Sequence, residues 1–115
     1  MELKKYQQSV LDDLDLYIDE LDKQPTIKAA FRSYWKNKGI SVDSVESDYL
    51  RPYNDEITGV PNVTIKVPTA GGKTYLACRA LKHIFKTYSN NKSKVVIWFV
   101  PSDPILKQTY NNLSN

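Results

Sequence analysis

Apolar residues recur at spacings of three and four near the start of the chain: Leu3, Tyr6, Val10, Leu11, Leu14, Ile18 and Leu21. That period predicts an amphipathic helix over residues 3–22. Asp12, Asp13, Asp15, Asp19 and Glu20 fall mostly off the stripe and read as its solvated face. Pro25 closes this element and suits the first turn of the next. Residues 26–38, TIKAAFRSYWKNK, predict a second helix stopped by Gly39, with Phe31, Tyr34 and Trp35 on one side and Arg32, Lys36 and Lys38 around the rest. Interleaved rings and cations can stack on nucleic acid. The plainer reading is an aromatic core face along which the cations lay their aliphatic stems. Residues 39–61 are polar and turn-rich, and a loop of that length is either functional or partly disordered.

The pattern then changes. Asn62–Val67 is a short β-branched run, good strand material. PTAGGK is a turn, and Thr74 to about Tyr88 predicts a helix with Leu76, Ala77, Ala80, Leu81, Ile84 and Phe85 inward. Lys94–Val100 is almost continuously apolar, the pattern of a strand covered on both faces in a parallel sheet. Pro101-Ser102-Asp103-Pro104 turns into a last helix, Ile105–Leu113. Strand, helix, strand, helix predicts an α/β fold with parallel strands and a right-handed crossover, behind an N-terminal helical extension. The expected division is 1–61 and 62–115.

Composition narrows this little. The chain has 115 residues, 41% of them apolar and 25% charged, so one modest core is expected. A net charge of +3 is too mild to argue for nucleic acid by itself. One cysteine, Cys78, excludes an internal disulfide, and no apolar run approaches the roughly 20 residues that span a bilayer. MELKKYQQSV has no apolar core of a signal peptide, so a cytoplasmic protein without membrane contact is expected. His83 stands alone on its helix, Cys78 reads as a small packed side chain, and no ligand spacing points to zinc.

The chemistry concentrates in VPTAGGKTYLA, residues 67–77. A phosphate cradle needs a strand to deliver the chain, small residues that let consecutive N–H groups converge, and a helix that starts at once. Val67, then Ala70-Gly71-Gly72, then Lys73-Thr74 supply these in order. Lys73 would reach the β- and γ-phosphates of ATP, and the Thr74 hydroxyl would ligate Mg²⁺.

Val67–Thr74 resembles motif I of superfamily 2 helicases, which keep Pro-Thr before the loop and replace the first glycine of the usual pattern. That family normally has glycine where this chain has Ala70, which forgoes any conformation with φ above zero. The resemblance makes Thr69, Ala70, Gly71, Gly72, Lys73 and Thr74 the nucleotide-binding segment, with Lys73 and Thr74 catalytic through electrostatic stabilisation of the phosphoryl group. Leu3-Lys4-Lys5-Tyr6-Gln7 is similar to the Tyr-Gln opening of helicase cores, which implies that Gln7 reads adenine; an amide offers a donor and an acceptor together.

Trp98–Thr109 looks like motif Ia, which implies that Pro101, Ser102, Lys107 and Gln108 touch the backbone of one nucleic-acid strand. Ser102 and Asp103 compete for the plainer role of capping the helix. Together the motifs most resemble the restriction–helicase subunit of type III restriction enzymes. The implied fold is the front of a RecA-like P-loop domain. The implied partners are duplex DNA, the rest of a helicase core and a methyltransferase subunit. No D-E-x-[HD] acidic motif occurs, so the chain reads as an N-terminal piece of a larger translocase, binding nucleotide weakly and hydrolysing almost none alone. Two other readings stand: a P-loop ATPase that does not act on nucleic acid, and a non-enzymatic helicase-like interaction module.

Overall fold

The computed structural model describes residues 2–42, 50–67, 72–87 and 95–99, together with Pro104, Lys107, Tyr110 and Asn111. Three helices run through them: α1 Lys5–Lys23, α2 Ile27–Asn37 and α3 Lys73–Thr87. The chain divides into two compact units, one of residues 1–11 and 67–115, the other of residues 12–66.

The 12–66 unit is built on the second part of α1 and on α2. Leu14, Tyr17 and Ile18 of α1 are buried, as are Ala30 of α2 and Val42 beyond it. These α1 positions repeat at three and four, so one stripe faces inward. The rings are shared between helices: Tyr17 meets Tyr34 edge-on at 5.6 Å, Tyr34 meets Trp35 at 5.1 Å, and Phe31 meets Tyr53 at 5.5 Å. Such pairs add to area burial because ring edges are positive and faces negative. The aromatic face of α2 is thus packing surface, and Lys38 lies over the Tyr34 ring at 5.3 Å while pairing with Asp13 at 2.6 Å.

Both ends of α2 are fixed by local chemistry. Thr26 sits at the N-cap in extended conformation, and its hydroxyl accepts from the Ala29 N–H at 3.1 Å. At the other end Gly39, with φ +81°, donates to the Lys36 carbonyl, and Ile40 donates to that of Trp35. These paired back-bonds close the helix with a left-handed residue, which glycine adopts without a Cβ penalty. Residues 50–62 carry no regular structure, yet the Tyr53 hydroxyl donates to the Val60 carbonyl at 3.2 Å and accepts from the Asn62 N–H at 3.0 Å.

The other unit holds the start of α1 and α3, with Leu11 and Leu76 buried. Here the expected α/β fold fails. Among the described residues there is no strand: 61–67 and 95–99 have no regular structure, so the parallel sheet expected from 62–67 and 94–100 is not present in them. Instead of being covered on both faces, Val95 is 83%, Ile97 75% and Phe99 89% exposed. The physical reason is that a strand's hydrogen bonds go to a neighbour, whereas a helix satisfies its own. An apolar run therefore reports only suitability for a sheet, and the described residues of each run have no regular structure. The expected last helix meets the described residues at Lys107, Tyr110 and Asn111, which are helical, as is Pro104 before them; its other positions lie outside them.

Candidate functional site

Of the three parts a phosphate cradle needs, the delivering strand is not present in the described residues 61–67, and what stands is the N-terminus of α3. Gly72 immediately precedes the helix with φ +68°, and its carbonyl accepts the first helical bond from the Leu76 N–H at 2.9 Å. A glycine in this position supplies no capping side chain, and the first N–H groups of a helix point out of its end toward any anion there. Lys73 is the first helical residue and is exposed, while Thr74, the second, is half-buried. Thr69, Ala70 and Gly71, expected to line the phosphates, lie outside the described residues.

Gln7 comes to this same place from the start of the chain. It is only 4% exposed. Its Oε1 accepts from the Lys4 N–H at 2.9 Å, while the Gln8 N–H bonds the Lys4 carbonyl at 3.0 Å. Gln7 is thus the third residue of α1 reaching back to the residue that caps it, half of a capping box. Its Nε2 faces Gly72: a Cβ at position 72 would stand 2.8 Å from that nitrogen. The left-handed backbone at position 72 favours glycine, and an added Cβ would make the end of the Gln7 side chain shift. Sequence reading named Gln7 and Gly72 separately; it missed that one packs on the other. The signal available was the helix start, since a Gln at the third position is a capping residue and is held close to the backbone.

Lys107 is exposed on helical backbone; Pro101, Ser102 and Gln108 lie outside the described residues. Cys78 is half-buried in α3, and desolvation pushes its thiol up. His83, also half-buried, stays on the same helix. No group of three His, Cys, Asp or Glu able to hold a metal occurs among the described residues, nor is any helix there long and apolar enough to cross a membrane.

A family model described as type III restriction enzyme, res subunit, matches residues 1–115 of the chain. No curated protein and no solved structure matches it.

Proposed function

The chain belongs to the type III restriction enzyme res subunit family, a helicase-like family, and from that premise we propose that its Gly72–Thr74 corner binds the phosphates of ATP within a DNA-translocating helicase. The observation that carries the reading is the contact of Gln7 with Gly72, which joins the proposed adenine reader to the proposed phosphate site. Backbone N–H groups of Thr69, Ala70, Gly71 and Gly72 would surround the phosphates, and the exposed Lys73 ammonium would neutralise the β- and γ-oxygens.

Mg²⁺ takes oxygen ligands and keeps most of its shell as water and substrate phosphate rather than an all-protein cage. One hydroxyl, that of Thr74, suits such a site. When bound, the ion would offset phosphate charge; the residues of this chain bind and orient the nucleotide. Pro101, Ser102, Lys107 and Gln108 are proposed contacts to duplex DNA. The rest of the helicase core and a methyltransferase subunit are proposed partners, and the cytoplasm is the proposed compartment.

Burial of Gln7 and its bond to Lys4 favour a second role for the same residue, bracing the loop. Titration with Mg-ATP and Mg-GTP separates the two. The proposal expects saturable ATP binding, weaker GTP binding, and loss of both in Lys73→Ala. If Gln7→Ala makes ATP bind only as well as GTP, the amide reads adenine. If it weakens both nucleotides equally, the amide only braces the loop. Undiminished binding by Lys73→Ala would sink the phosphate site.

A further inference from the structure

Charge is distributed very unevenly along the chain. Residues 1–56 carry eight Lys or Arg and twelve Asp or Glu; residues 57–115 carry eight and a single acid, Asp103. The modest net charge of +3 is therefore the residue of two opposed halves. Such asymmetry points to a polyanionic partner for the basic part.

The structure places the densest part of that positive charge on α3, which contains no acidic residue. Arg79, Lys82 and Lys86 fall at spacings of three and four, so they share one face of the helix. Leu76 is buried, whereas Lys82 and Lys86 are exposed and Arg79 half-buried, so this face is open to solvent at least along its last turns. Among the described residues no carboxylate pairs with any of the three; the ion pair there joins Lys38 to Asp13. Unpaired like charges on one helix face repel one another by a few tenths of a kcal/mol per pair, a cost that a bound anion removes.

We propose that the Arg79–Lys82–Lys86 face of α3 is a second contact surface for the phosphate backbone of duplex DNA, in addition to the contacts proposed for Pro101, Ser102, Lys107 and Gln108. From Arg79 to Lys86 the helix rises about 10 Å. One strand of B-DNA presents about three phosphates over that length of axis. Three cations thus meet about three charges without any demand on sequence, so the contact adds affinity and not specificity. Arg79, nearest the N-terminus of α3 and held by its partial burial, is the directional member. Lys82 and Lys86 act as mobile point charges.

This inference rests on the reading of DNA as the partner and not on ATP binding. The test is anisotropy of a labelled duplex with the full chain, without nucleotide, across a salt series. It compares the wild type with Arg79→Gln/Lys82→Gln/Lys86→Gln and with Lys23→Gln/Lys28→Gln/Lys36→Gln, an equal charge change on α1 and α2. Far-UV circular dichroism checks that each variant stays helical.

The α3 variant is expected to lose affinity roughly tenfold or more and to lower the slope of log K against log salt by about 2 to 3. The α1–α2 variant should hold both values. An unchanged slope in the α3 variant overturns the inference and leaves DNA binding standing. Equal losses in both variants overturn it as well, since attraction then follows net charge alone. No duplex binding by the wild type removes DNA as partner and this surface with it, while the nucleotide titration continues to judge the ATP site.

Discussion

The α1–α2 pair and the apolar run at 95–99 both carry the residues of a core, and they end in opposite environments. Leu14, Tyr17, Ile18 and Ala30 are buried; Val95, Ile97 and Phe99 stand in water. Hydrophobicity does not separate them. What differs is where each segment's backbone hydrogen bonds must go. A helix closes its own ladder and then needs only one face covered, which a second helix a few residues away supplies. An extended run needs a neighbour on each side before its side chains gain anything from burial.

The comparison breaks most sharply by truncation. Leu14→Ala is expected to cost about 2 to 5 kcal/mol in urea unfolding, whereas Phe99→Ala should shift stability by no more than about 0.5 kcal/mol. A large loss from Phe99→Ala would mean that the 95–99 run is covered in solution.

Gly72→Ala tests the other unit. The left-handed backbone costs about 1 to 2 kcal/mol, and the clash with Gln7 Nε2 adds to it. In a double-mutant cycle Gln7→Ala should relieve the clash and leave the backbone part. Additive effects would show that the two side chains do not meet. Gly39→Ala provides the contrast: it shares the positive φ but meets nothing within 4 Å. It should cost about 1 kcal/mol, with no coupling to a neighbour, as should Thr26→Ala through loss of its cap.

The smallest effect expected is one of pH. Glu20 lies below the ordinary carboxyl range, first through a hydrogen bond from Ser33 and then one from Gln24, and it also accepts from Asn37 at 3.2 Å. Because the folded state holds this group deprotonated, its contribution is present at neutral pH and is lost as pH falls through and below that range. Thermal melts of wild type and Glu20→Gln should differ slightly at pH 7 and converge in acid; a constant gap would remove Glu20 as the cause.

What the sequence determined by itself is whatever sits within one turn of its cause. The stripe from Leu3 to Leu21, Pro25 and Gly39 announce α1 and α2 to within a residue or two, because propensity, stop signals and period are all local. The Gly72-Lys73-Thr74 corner and α3 are legible for the same reason, and the motifs around them were enough to indicate the family that matches the whole chain. Tertiary structure alone decided two things. It denied a strand to 61–67 and 95–99, since pairing depends on a partner the run does not encode. It also set Gln7 against Gly72, a contact made by folding two distant segments together, which no pattern within either segment specifies.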